Sequence, residues 1–310
     1  MSQRSILVAE DLDGFTEKSQ RRGQVVRNMA QEVSRLLHEE LELLYVEDTK
    51  TYPNKKLYHD QDIKAWHQEH EESLQKIAKV LSVKSHVVIK SGTPAQEILK
   101  TIHTQPRPEL VIMGTQGRQG LEKWILGSVA EEVISHSERP VMVLGPLCQE
   151  KHLKGHLRRP LKFIVATDLT RTSRPAEQYA ASLAARCRGR LFFYHSVAES
   201  LRQIEEASYM SGFASFDFEQ TLQKISRDAR IVLEKKVARC RKKLIYCDYK
   251  VGNPRENFLE GLSQGPMNEA SMMIMGTHHR NSLLRAFLGS NARDAILYSE
   301  IPVVIVPSRR

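Results

Sequence analysis

Gly114-x-x-Gly117, nine intervening residues and then Gly127-Ser128 form the segment whose residue types and spacing best suit a built anion site. Glycines let the main chain turn sharply and approach a phosphate with no Cβ in the way. Leu110 to Met113 ahead of them reads as a strand and the stretch after Gly127 as a helix. That is the junction where unpaired amides and the helix dipole favour negative charge. Ser128 reads as the N-cap of the helix, with Glu131 completing a capping box. Taken alone, the same glycines would equally make a plain turn.

Other chemistry-bearing patterns are weaker. No P-loop lysine, no Gly-x-Ser-x-Gly elbow and no paired acid and base accompany the glycines, which argues against a catalytic cycle. His67 and His70 are one helical turn apart and His278 adjoins His279, but neither pair has a third ligand in sequence. Both read as solvated surface. The four cysteines include no CxxC pair, and Cys240 and Cys247 read as small packed hydrophobes.

The elements that must position the glycines occur twice. Gly114 to Ser128 matches Gly276 to Ser290 without gaps, at an offset of 162 and with seven of fifteen residues shared. Gly92-Thr-Pro94 matches Gly252-Asn-Pro254, Ile6 to Asp11 matches Phe163 to Asp168, and Pro140 to Leu144 matches Pro302 to Val306. Four landmarks in one order mean a duplicated domain. Each copy alternates short β-branched runs with longer stretches of helical spacing, such as Val25, Met29, Val33, Leu36 and Leu37. In the second copy the strands are expected near Phe163 to Ala166, Leu191 to His195, Leu244 to Tyr249, Met272 to Met275 and Val303 to Val306. The expected fold class is α/β, two tandem doubly wound parallel-sheet domains with helices on both faces. The expected division is 1–145, a basic linker over 146–160, and 161–310.

A length of 310 residues suits two domains of that size, and no run of 18 apolar residues suggests a membrane span. The apolar stretch Ile6 to Ala9 is too short for a signal-peptide core, so a reducing cytoplasm is the expected location. Charge divides unevenly: residues 1–150 carry net −3 and residues 151–310 net +12. The densest patch, Lys235, Lys236, Arg239, Arg241, Lys242 and Lys243, borders an apolar helical stripe. It reads either as a solvated face or as a docking face for an anionic partner, nucleic acid, lipid or acidic protein.

Gly114, Gly117, Gly127 and Ser128, with the following Val129-Ala-Glu-x-Val133 and Pro140-Val-Met-Val143, resemble the signature of the universal stress protein family. The resemblance covers nearly the whole chain in two copies, like the tandem E-type members. It implies a five-stranded domain in strand order 3-2-1-4-5, like that of the adenine-nucleotide alpha-hydrolases, that binds ATP. By the same resemblance Asp11 lies near the ribose and phosphates, with Mg2+ as a further partner of its carboxylate. Its alternative reading is a turn or N-cap acid. Val46 would read the adenine edge through its backbone, and Gly114, Gly117, Gly127, Ser128 and Val129 would cradle the phosphates.

The second copy departs from this pattern. Asp168, Gly276, Gly289 and Ser290 remain, but His279 replaces the second glycine and Arg293 stands where the first copy has Glu131. A histidine there would strain a positive-φ position and crowd the phosphates, although Arg293 could clamp one. The expectation is ATP in the first domain and a degenerate site in the second. The function expected is that of a non-catalytic, nucleotide-responsive stress protein. A slow ATP-hydrolysing enzyme and an adaptor working through the basic half are the alternatives. Family members pair domains through the fifth strand, so the two copies would form an intrachain pseudo-dimer, with a homodimer as a further option.

Overall fold

The computed structural model describes residues 4–12, 17–50, 60–104, 108–115, 126–148, 160–198, 201, 218–253, 255–263, 265, 269–277 and 288–308. In the first half, β1 (Ser5–Glu10), α1 (Glu17–Leu37), β2 (Glu40–Asp48), α2 (Asp60–Val80), β3 (Ser85–Gly92), α3 (Pro94–His103), β4 (Leu110–Gly114), α4 (Ser128–His136) and β5 (Val141–Leu144) alternate strand with helix. The second half repeats this with β6 (Lys162–Ala166), α5 (Arg174–Cys187), β7 (Arg190–His195), α6 (Phe218–Lys242), β8 (Cys247–Val251), α7 (Phe258–Ser263), β9 (Met272–Gly276), α8 (Ser290–Tyr298) and β10 (Val303–Val306).

The strands lie in the order β3-β2-β1-β4-β5-β10-β9-β6-β7-β8. From its outer edge, each half therefore reads 3-2-1-4-5. One refinement to the expected class follows: the two halves share a single ten-stranded sheet. Every strand pair is parallel except β5 with β10, which run antiparallel with Val143 opposite Val303, Met142 opposite Val304 and Val141 opposite Ile305. Met142 and Val304 are equivalent at the repeat offset of 162, so the local two-fold axis passes through their pairing. The junction removes what would otherwise be two exposed sheet edges.

Alternation along the strands divides the core between the two faces of the sheet. Ile6 and Val8 pack with Met29 and Val33 of α1, whereas Leu7 packs with Ile98 of α3 and Val133 of α4. In the second half Phe163 and Val165 join Leu183 and Leu233 on one face, and Ile164 joins Leu262 and Ile296 on the other. Ile6, Leu7 and Val8 are fully buried, each such side chain stabilising the fold by about 1.5–3 kcal/mol.

Two local expectations are corrected. The third strand of the second half starts at Cys247, not Leu244. Leu244 is 97% exposed at φ +60°, in a left-handed turn closed by bonds from its amide to the Arg241 carbonyl and from the Ile245 amide to the Cys240 carbonyl. Its apolar side chain mimicked a strand residue, but the backbone uses it to leave α6. At the start of α4 the N-cap is Gly127, in extended conformation with no side-chain cap, and Ser128 is the first helical residue. The expected capping box is therefore absent.

Candidate functional site

β1 and β4 are neighbouring parallel strands, paired from Ile6 with Leu110 to Val8 with Ile112. The chain leaves them toward opposite edges of the sheet, which makes the crevice beyond their carboxyl ends the topological switch point. Continuing the register sets Asp11 level with Thr115. Val46 lies one residue past the Glu10–Tyr45 pair on the adjacent β2. Asp11, Val46, Gly114, Gly127, Ser128 and Val129 are thus brought to one end of three adjacent strands. Gly117 lies outside the described residues.

Backbone bonds close this end of the sheet. The Gly127 amide donates to the Thr115 carbonyl at 2.8 Å, pinning together the two ends of the glycine segment, and Thr115 is buried. The Glu131 amide donates to the Gly127 carbonyl, so the amides of the first turn of α4 precede the intrahelical ladder. Gly114 has no positive φ, and among the described residues a Cβ built on it would meet only the Val26 methyl at 3.5 Å. Packing among the described residues does not require glycine there, whereas close approach of a ligand would.

Beside Asp11, the fully buried carboxylate of Glu10 pairs with Arg27 of α1 at 2.9 Å. Burial pushes the Glu10 carboxyl up from its ordinary range and Arg27 pulls it back. The pair carries no sequence motif, because Glu10 and Arg27 stand 17 residues apart on different elements. His67 is exposed, as expected, whereas His70 is buried and departs from the expected solvated surface; both hydrogen-bond the buried carboxylate of Glu47, at 3.1 and 3.2 Å, and Ser91 donates to its other oxygen. Among the described residues, no group of three His, Cys, Asp or Glu is arranged to hold a metal ion.

The universal stress protein family model matches residues 4–145 and again residues 161–307. The chain belongs to the universal stress protein family. A universal stress protein of Methanocaldococcus jannaschii is 40% identical over 80 residues, 25% of this chain and 46% of the relative. A putative universal stress protein of Staphylococcus saprophyticus is 27% identical over 148 residues, 46% of this chain and 84% of the relative. The matches to the Methanocaldococcus proteins span just under half of those relatives' own length. Among solved structures, a universal stress protein from Archaeoglobus fulgidus matches 98% of both chains with a TM-score of 0.66 at 21% identity, a likeness of fold.

The second universal stress protein domain repeats the frame. Gly276 ends β9, and Gly289 is the extended, uncapped entry to α8, which begins at Ser290. Asp168, the equivalent of Asp11, accepts hydrogen bonds from the Thr170 amide and hydroxyl, both at 2.8 Å, and from the Ser173 hydroxyl at the start of α5. Its carboxylate is engaged in organising a turn. Behind it, the buried His195 Nδ1 donates to the Thr167 carbonyl, and burial holds the ring below its usual pKa. His279 lies outside the described residues. Arg293 does not turn toward the helix start as a phosphate clamp: its guanidinium pairs with Glu131 of the first domain.

Proposed function

We propose that the first domain binds an adenine nucleotide, ATP with Mg2+, and that occupancy regulates the protein without a catalytic cycle. Supporting this most directly is the uncapped entry to α4 at Gly127, which leaves first-turn amides at the carboxyl end of β4 beside Asp11. Gly114, Gly117, Gly127, Ser128 and Val129 would hold the phosphates. Asp11 would hold ribose hydroxyls or Mg2+, and the Val46 backbone would take the adenine edge. Bound Mg2+ would neutralise phosphate charge. No helix among the described residues is long and apolar enough to cross a membrane, and the proposed location is the cytoplasm. Calorimetric titration with Mg-ATP tests the reading. The expected result is one site per chain, lost on Gly117→His; no binding, or two equivalent sites, would overturn it.

A second reading concerns the basic half. A cavity of about 850 Å³ between α5 and α6 is lined by Arg174, Lys235, Lys236, Arg239 and Lys243 above an apolar floor that includes Phe193. This favours an anionic partner for the second domain. Binding to heparin that weakens steeply with salt supports it, and salt-independent binding counts against it.

A further inference from the structure

We propose that the groove between α5 and α6 binds linear inorganic polyphosphate. This rests on the reading that the basic half takes an anionic partner, and it names the partner's chemistry. The groove is open because small side chains replace the ones that close its counterpart in the first domain. α1 and α5 are equivalent at an offset of 150: the buried Val26, Ala30, Val33 and Leu37 match Ala176, Ala180, Leu183 and Cys187. Left-handed residues end both helices, His38 at φ +57° and Arg188 at φ +51°. In the first domain Gln31 and Arg35 reach Ser82 beyond α2, where Gln31 Oε1 accepts from the Ser82 amide at 2.9 Å and Arg35 donates to the Ser82 hydroxyl. Their equivalents are Ala181 and Ala185, and both line the cavity of about 850 Å³.

The wall facing these alanines is a row of cations. Lys235, Arg239 and Lys243 follow one another at intervals of four residues along α6 and the turn that ends it, all exposed and all lining the groove. On a helix such residues share one face about 6 Å apart. Arg174 lines the groove from the start of α5. The acid in the lining, Glu177, is already engaged: Lys236 pairs with one oxygen and the Thr167 hydroxyl donates to the other at 2.6 Å. By contrast, no ion pair among the described residues engages Arg174, Lys235, Arg239 or Lys243. The apolar floor beneath them, with Phe193 and Val232, keeps water and its screening low and so strengthens each contact with an anion.

A row of this kind calls for negative charge repeated along the ligand, since a single anionic head group would engage one end of it. Duplex nucleic acid is too wide to enter a groove between neighbouring helices. A single strand would need aromatic faces for its bases, and the aromatic ring in the lining, Phe193, is 2% exposed. Carboxylates of an extended acidic peptide project alternately to opposite sides, so half of them would face the apolar floor. Polyphosphate is slender and carries an oxyanion on every unit. It can meet the α6 row and Arg174 together, with no register to satisfy.

The test titrates the intact protein into end-labelled polyphosphate and, in parallel, into heparin, oligothymidylate and polyglutamate of matched charge. The expected result is saturable binding, tightest for polyphosphate. Arg239→Glu should weaken it about tenfold or more. Lys242→Glu, the same charge change on an exposed residue outside the groove lining, should weaken it far less. Ala181→Gln combined with Ala185→Arg, which restores the first domain's side chains, should weaken binding even though it adds a positive charge. Ala185→Arg alone, at an exposed position, repeats this arm if the double variant is less stable in thermal denaturation. Equal losses in Arg239→Glu and Lys242→Glu, or tighter binding once the alanines are replaced, would reveal diffuse surface attraction and overturn the proposal. Tighter binding of heparin, oligothymidylate or polyglutamate would overturn polyphosphate as the ligand and leave the anionic-partner reading standing; binding of none of the four removes both.

Discussion

Glu131 and Arg293 occupy the same position in the two halves of the chain, and they form an ion pair with each other across the junction. The local two-fold axis through Met142 and Val304 brings the equivalent helices α4 and α8 together, so whatever stands at this position meets its own counterpart. Two identical domains bearing glutamate here would oppose like charges. Duplication within one chain lets the second copy carry arginine instead. Arg293→Glu is therefore expected to destabilise the fold by about 1 kcal/mol, modest because both side chains are about 40% exposed. Combining it with Glu131→Arg should restore stability. Urea denaturation of the two variants measures both effects, and a double variant no more stable than the single would contradict a direct pairing.

A second contact across the halves carries a pH signature. Arg186 of α5 binds Glu39 at 2.7 Å and also Glu109, both in the first domain. Burial, together with the neighbouring Glu109, pushes Glu39 up from 4.5 to about 7, so the pair of carboxyls keeps one proton well above the usual range. A folded-state pKa above the unfolded value means that the native protein holds a proton the unfolded chain releases. Stability from this group is thus full below about pH 4.5, falls as pH rises, and levels off above about pH 7. Glu109 is shifted down, and its own window lies below 4.5. Glu39→Gln should flatten the decline between pH 5 and 7 in denaturation curves. An unchanged slope would assign the pH dependence elsewhere.

Repetition made most of the architecture legible from sequence, because fully buried strands such as Ile6 to Val8 and Val303 to Val306 are written as uninterrupted aliphatic runs. The glycine segment was legible for the same reason, being anchored between a clear strand and a clear helix. What stayed hidden depends on contacts between distant residues. Arg293 looked like a lost cap or a phosphate clamp, since its partner is 162 positions away. Leu244 looked like a strand residue because hydropathy does not report a left-handed turn. His70 looked solvated because the Glu47 carboxylate that holds it in the interior is on another element.

The second domain's aspartate alters what would restore a second nucleotide site. His279→Gly restores only the second glycine of the first domain's pattern. The Asp168 carboxylate remains committed to Thr170 and Ser173, which shape the entry to α5. The single replacement is therefore expected to leave stoichiometry at one nucleotide per chain in calorimetry. A second site of comparable affinity in His279→Gly would show that the ring alone disables this domain.

Two glycines at the edges of the first domain separate folding from binding. Gly145, immediately after β5, sits so close to α8 that an added Cβ would lie 1.8 Å from the Ile296 carbonyl oxygen. That neighbour is backbone and cannot swing aside, so Gly145→Ala should force the junction apart at a cost of about 1–3 kcal/mol. Gly114 is the opposite case: its added Cβ makes an ordinary 3.5 Å contact with Val26. Gly114→Ala should leave stability within about 0.5 kcal/mol of the unmodified protein. If the residue is glycine because a phosphate approaches it, the same methyl should weaken nucleotide binding by about tenfold or more, or about 1.4 kcal/mol. Gly276→Ala is the matched control, with similar room around its Cβ and no expected effect on binding. Denaturation and calorimetry on the three variants decide the matter: nucleotide affinity unchanged in Gly114→Ala would remove this glycine from the proposed cradle.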